Sequence, residues 1–353
     1  MRRSADSESF AIFPGIVATD LLDTTDDPSA LDSEGFWAVV KTFEGDALFA
    51  RFAMVKTREA VPSADYVTSR VCHPLYEWRS SLSREGFEAG VRSIRDAIAR
   101  GDVYQVNLTR VLSRIRDPSG VPPAPSLLWE TALRIAREHP APHAATVVVP
   151  SKGIRVLSAS PESFLSREGR TVRSSPIKGT ASSEEGLTDK DRAENVMIVD
   201  LVRNDLGRVC EWGSVRVESL CRVERHPGLV HLVSTVAGLL RRDVGWGDLL
   251  DATFPPGSVT GAPKIAALEM IRELEPTPRG VYCGSVGWVD ADRRRAELNV
   301  AIRTFWFEEG EVFFGTGGGI TWYSDPASEW EETELKARRL LELMTPEPVA
   351  GRT

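Results

Sequence analysis

Asp191 and Glu194 stand three residues apart in a segment of helical pattern, and Glu329 and Glu332 repeat that spacing in a second. Residues three apart share a helix face, where like charges repel. A solvated surface accounts for any one such pair. Two pairs also fit a hard cation gripped between helices, since magnesium takes one or two protein carboxylates, keeps waters and completes its shell with an anionic substrate. Lys178 stands in Pro176-Ile177-Lys178-Gly179-Thr180. Desolvated, its ammonium would lose its proton readily and become a nucleophile; exposed, it is an ordinary surface lysine. Glu162, in Ser160-Pro161-Glu162, follows a strand ending near Leu157, and a carboxyl with raised pKa there would serve as a general acid. His231, in His231-Leu232-Val233-Ser234, is open to a structural or a functional reading.

Gly315-Thr316-Gly317-Gly318-Gly319 lies between a strand and a further extended stretch. Its backbone would let an anion approach closely, or it is a tight turn or bulge. Gly257 to Lys264 (GSVTGAPK) imitates a phosphate loop but lacks Gly-Lys-Ser/Thr, and reads as a turn into a helix with Pro263 in its first turn. No G-x-S-x-G or G-x-C-x-G elbow is present.

These residues must be positioned by a mixed set of elements. Ser83 caps a helix with a stripe of Phe87, Val91, Ile94 and Ile98, and Gly101 ends it. Further helices are expected over 126–138, 189–209, 262–274 and 326–344, and strands over 36–55, 145–173, 281–289, 297–307 and 311–314. Asp20 to Asp32 reads as an acidic loop. Strands and helices without regular βαβ spacing predict an α+β chain with large, mostly antiparallel sheets.

Composition narrows the function classes. The 353 residues carry 43 Lys+Arg against 51 Asp+Glu, a net charge of −8, which disfavours nucleic acid as a partner. No apolar run approaches a membrane span, and no secretory leader is expected. Cys72, Cys210, Cys221 and Cys283 form no C-x-x-C pair, so reduced thiols and a cytoplasmic location are expected.

Nine segments occur together in order: GDVYQVNLTR (101–110), SASPESF (158–164), PIKGT (176–180), ENVMIVDLVRNDLGRV (194–209), HLVSTVAG (231–238), GSVTGAPK (257–264), AIRTF (301–305), GTGGGI (315–320) and EWEETELKA (329–337). In this the chain resembles the chorismate-utilising enzymes, over roughly Ser83 to Met344. The resemblance implies a four-layer α/β/β/α sandwich with two large sheets and the substrate between them. It implies Glu194 and Glu332 as magnesium ligands, with Asp191 and Glu329 as further acidic candidates. Tyr282 and Arg303 would bind the enolpyruvyl carboxylate. Gly179, Thr180, Gly317, Gly318 and Gly319 would line the substrate, His231 would lie near the ring hydroxyl, and Glu162 would be the general acid.

Two positions sort the family. Members that add water carry a lysine where this chain has Gln105, which disfavours isochorismate or salicylate formation. Anthranilate synthases typically carry alanine where this chain has Lys178, whereas the members that aminate chorismate at C4, for para-aminobenzoate and folate synthesis, carry lysine there as a nucleophile on the ring. The resemblance therefore implies the aminating subfamily, with anthranilate synthase component I as the alternative. Without a glutaminase triad in the chain, ammonia would come from a glutamine amidotransferase subunit. Expected boundaries are a divergent N-terminal region over 1–82 packed on the same body, a catalytic domain over 83–345 and a tail over 346–353. Leu21-Leu22-Asp23 replaces the tryptophan-binding LLES segment of anthranilate synthases, so feedback control by tryptophan is in doubt.

Overall fold

Ser83 opens helix α1 (Arg84–Arg100) as expected: its hydroxyl accepts the Gly86 N–H at 3.1 Å, and Gly101 ends the helix at φ +82°. Phe87, Val91, Ile94 and Ala97 are its buried stripe. The computed structural model describes residues 8–57, 77–117, 119–181, 183–226 and 229–344. Cys72 and the expected tail lie outside the described residues, as does the side chain of Thr180. The other helices are α2 (Pro125–Glu138), α3 (Asp189–Gly207), α4 (Trp246–Thr253), α5 (Lys264–Leu274) and α6 (Pro326–Leu343).

The first strands are β1 (Phe10–Phe13), β2 (Ile16–Thr25), β3 (Phe36–Lys41), β4 (Ala47–Thr57), β5 (Arg79–Ser80) and β6 (Gln105–Ile115). The middle of the chain supplies β7 (His143–Val149), β8 (Ile154–Ser160), β9 (Ser163–Glu168), β10 (Thr171–Ser175), β11 (Ile177–Ala181), β12 (Arg216–His226) and β13 (Leu229–Leu239). The last are β14 (Gly261–Ala262), β15 (Ser285–Asp290), β16 (Arg295–Val300), β17 (Thr304–Glu308) and β18 (Glu311–Ile320).

Every strand pairing is antiparallel. One half runs from β12 through β13, β10, β9, β16, β15, β3 and β4 to β2, with β11 beside β10 on the same edge of β13. The other runs from β1 through β7, β8, β17 and β18 to β6. The halves face each other, with β7 packed against β3, β15 and β16. Across the seam, the Asn299 amide donates to the His143 carbonyl at 2.7 Å and to Ser158 Oγ at 3.2 Å. Helix α3 covers β11–β13 on one side, while α1, α5 and α6 cover β6 and β18, and α2 covers β7 and β8. The four layers are those expected. The two sheets, however, are joined through the β1–β2 ladder into one hydrogen-bonded run. Interior side chains such as Val39, Phe49, Val147, Ile198 and Val286 make up the largest buried cluster; each contributes about 1.5–3 kcal/mol through removal of apolar area from water.

Four local expectations are corrected. Residues 20–25 of the expected acidic loop belong to β2, where Asp20 takes φ +61° beside a bulge and Asp23 pairs with Arg51 at 2.5 Å. The glycine segment is no turn, because β18 continues through it in ladder with β6. The strand expected over 297–307 breaks at Ala301–Arg303, where Arg303 adopts φ +53°. Helix α5 starts at Lys264, because Gly261 and Ala262 pair with β6 instead. Among the described residues no helix is long and apolar enough to cross a membrane.

Candidate active site

Lys178 sits on β11 just before a register shift against β13, and Gly179 makes that bulge at φ +77°. A side chain at Gly179 is excluded twice over: by the left-handed backbone, and because a methyl there would stand 2.8 Å from Asp191 Cβ. The bulge leaves the Lys178 Nζ donating to the Ser258 carbonyl at 3.2 Å. Burial pushes its ammonium below the ordinary 10.5; the carboxylates of Glu194, Glu162 and Glu332 oppose that, and Lys336 adds to it. The charges of Glu194, Glu162 and Glu332 thus all act on the Lys178 ammonium.

Glu162 lies between β8 and β9 and is buried. Two bonds pin its backbone: its N–H donates to Ser160 Oγ at 3.2 Å and its carbonyl accepts the Val300 N–H at 3.0 Å, while Ser160 Oγ itself donates to the Val300 carbonyl at 2.6 Å. Burial pushes its carboxyl from the ordinary 4.5 up to about 7, against hydrogen bonds from the Ser258 hydroxyl and the Ile177 N–H and against the Lys178 charge. An amine held toward neutrality beside a carboxyl held toward its acid form is a matched nucleophile and proton donor. Ser258 serves both groups, and nothing in its local sequence announces it.

The glycine strand forms another wall. Gly317, Gly318 and Gly319 lie opposite Thr109, Leu108 and Asn107. A methyl on Gly318 would stand 3.2 Å from Glu329 Oε2. One on Gly319 would overlap the Gln105 amide and stand 3.3 Å from Lys178 Nζ. Gln105 is buried, and its Oε1 has no hydrogen-bond partner among the described residues. Lys336, missed in the sequence although it lies one turn beyond Glu332, binds the Glu332 carboxylate at 2.7 Å and donates to the Gly317 carbonyl at 3.0 Å. A Gly319→Ala variant is expected to keep its folding stability within about 1 kcal/mol, because the overlap falls on a side-chain end, yet to lose about tenfold or more in kcat/KM. Denaturant unfolding and steady-state kinetics check both.

Other candidates fall differently. Asp191 is drawn into helix capping: its carboxylate accepts the Thr188 N–H at 2.8 Å and hydroxyl at 2.7 Å, and the Thr188 hydroxyl accepts the Asp191 N–H at 3.2 Å. His231 is buried on β13 in register with Thr180. Tyr282 is buried beneath Gly315, where a methyl would overlap its ring. Arg303 is partly buried, and its charge falls on His139. Burial lowers the Arg303 guanidinium, and it makes no ion pair among the described residues. A half-buried guanidinium fork is suited to a carboxylate. Lys264, from the imitation phosphate loop, is a structural tie: its Nζ reaches Asp205 at 2.6 Å and the Thr253 carbonyl at 3.1 Å.

Among the described residues no three Asp, Glu, His or Cys side chains group as a metal cage. Glu194 and Glu332 act on the same Lys178 ammonium, and carboxylates are the ligand type that magnesium takes, one or two at a time.

The family model for chorismate binding enzymes matches residues 45–342, and the chain belongs to that family. Within it, the chain is 37% identical to aminodeoxychorismate synthase component 1 of Bacillus subtilis over 294 residues, 78% of this chain and 60% of that protein. It is 40% identical to anthranilate synthase component 1 of Streptomyces coelicolor over 281 residues, 76% of this chain and 53% of that protein. The chain therefore spans a little over half the length of these relatives. The fold is shared with MenF, the menaquinone-specific isochorismate synthase of Escherichia coli, at a TM-score of 0.76 and 17% identity, covering 97% of this chain and 91% of that one.

Proposed function

We propose that the chain aminates chorismate at C4, giving 4-amino-4-deoxychorismate, with ammonia supplied by a separate glutamine amidotransferase subunit. The observation that carries this reading is Lys178, a lysine with its ammonium destabilised by burial, set in the field of a carboxyl whose pKa is raised to about 7. Arg303 would hold one substrate carboxylate. Glu194 and Glu332 would hold magnesium, which supplies positive charge for the other, and Asp191 and Glu329 would support them. The glycine strand and Gly179 would let the ring lie close to backbone, with Thr180, Tyr282 and His231 as further contacts. Fixing both carboxylates removes rotational and translational freedom that the reaction would otherwise lose at its barrier.

The neutral Lys178 amine adds to C2 as the two conjugated ring double bonds shift (to C1=C6 and C4=C5) and the C4 hydroxyl departs, taking the Glu162 proton to leave as water. Ammonia then adds at C4, the two double bonds shift back, and the C2–N bond breaks to release Lys178 as an amine. The new ammonium returns one proton to the Glu162 carboxylate, so the acid is restored within the cycle. Dividing the displacement in this way replaces one hard step with two easier ones. Among the described residues Cys210, Cys221 and Cys283 are free, in keeping with a reducing, cytoplasmic setting.

Anthranilate formation is the second reading, favoured by the 40% identity to a relative of that name. The product decides. With chorismate, Mg²⁺ and excess ammonium, mass spectrometry is expected to find aminodeoxychorismate, which a lyase converts to para-aminobenzoate; glutamine alone should give none. Anthranilate with released pyruvate would overturn the proposal.

A further inference from the structure

Behind the glycine strand lies a buried ion pair that the chemistry above does not use. Arg279 is 1% exposed. Its Nε and Nη2 grip the Glu275 carboxylate at 2.8 and 2.7 Å. A buried pair of this kind is a poor source of net stability, because desolvation cancels most of the attraction. Its remaining bonds suggest what it does instead. Arg279 Nη1 donates to the Val259 carbonyl at 2.8 Å, and Nη2 donates to the Asn107 carbonyl at 2.7 Å. Glu275 Oε1 accepts the Thr109 N–H at 2.8 Å.

Those backbone groups are not arbitrary. Val259 follows Ser258, whose carbonyl accepts from Lys178 and whose hydroxyl bonds Glu162. Asn107 and Thr109 are the ladder partners of Gly319 and Gly317. One planar guanidinium therefore ties the segment that aims the amine and the acid to the strand that shapes the opposite wall. A lysine could not do this, since Arg279 spreads four bonds over three nitrogens of one rigid plane, whereas an ammonium has three donors on a single nitrogen.

We infer that Arg279, locked by Glu275, is a positioning residue that sets the placement of Lys178 and Glu162 against the glycine strand. The inference rests on the reading of Lys178 as the reacting amine. Arg279→Lys is expected to lower kcat per folded molecule by about 100-fold, the cost of roughly an ångström of misplacement, with the chorismate KM changed little. Near-UV circular dichroism supplies the folded fraction, so lost folding alone would leave this kcat unchanged. In a Lys178→Ala background the same substitution should cost nothing further, because groups acting through one residue are not additive. A kcat per folded molecule within about twofold of the parent, or an undiminished loss in the Lys178→Ala background, would overturn the inference. Should Arg279→Lys fail to fold, Glu275→Gln, which keeps the shape and weakens the lock, takes its place with the same criteria. A crystal structure of the folded variant separates the two ideas. A displaced Ser258 carbonyl supports the positioning role even where Lys178→Ala proves active and the amine's role fails; an undisplaced one sinks it.

Discussion

Lys178→Ala is expected to lower amination of chorismate by about 10³-fold or more, roughly 4 kcal/mol of barrier, while chorismate still binds. The size follows from what the side chain is proposed to do. It would form and break a covalent bond to the ring, and no neighbour can replace it: Lys336 is already engaged by Glu332 at 2.7 Å and by the Gly317 carbonyl. Binding should survive because Arg303 and the glycine strand lie elsewhere, just before β17 and within β18. Single-turnover kinetics with ammonium, alongside equilibrium binding of chorismate, separate the two quantities. Normal rates in the variant would remove the covalent step and leave Lys178 an electrostatic role only.

Local chemistry and long-range pairing were not equally legible in the sequence. Helix α1 could be read because Ser83, the apolar stripe and Gly101 agree over one contiguous stretch. Helix α4 could not, since eight residues offer barely two turns of period. The glycine segment was ambiguous because a run of glycines carries no side-chain alternation; only the partner strand β6 decides that it is ladder rather than turn. The paired acids were visible as spacing, yet spacing could not say that Asp191 closes a capping box with Thr188 while the Glu194 charge acts on Lys178. Ser258 and Arg279 were silent for a common reason. Their roles rest on backbone carbonyls and on burial, and both are produced by segments far apart in the chain.

The same burial that prepares Glu162 should cost stability, with a definite sign in pH. Folded, its carboxyl titrates at about 7; unfolded, near the ordinary 4.5. Below 4.5 both states hold the proton, and burying the neutral acid carries no penalty of this kind. Between 4.5 and about 7 only the folded state keeps it, so stability falls as pH rises. Above that both states are ionised, and the loss levels off at about 3 kcal/mol, taking about 1.4 kcal/mol per pH unit. Glutamine at this position ionises in neither state and keeps an oxygen to accept from Ser258 and the Ile177 N–H. Glu162→Gln is therefore expected to be more stable than the parent at pH 8 by up to about 3 kcal/mol, with the advantage mostly gone at pH 5. Urea unfolding at the two pH values measures it, and an advantage independent of pH would mean that the carboxyl is not held protonated. The variant should also lose about 10²–10³-fold in turnover, because an amide cannot surrender a proton to the departing hydroxyl. In the parent, kcat should fall as pH rises past about 7 with loss of the acid form. That limb should vanish in the glutamine variant, whose residual rate should follow Lys178 alone. A more stable protein with less activity and one fewer titration is the joint signature of an acid held against its own solvation.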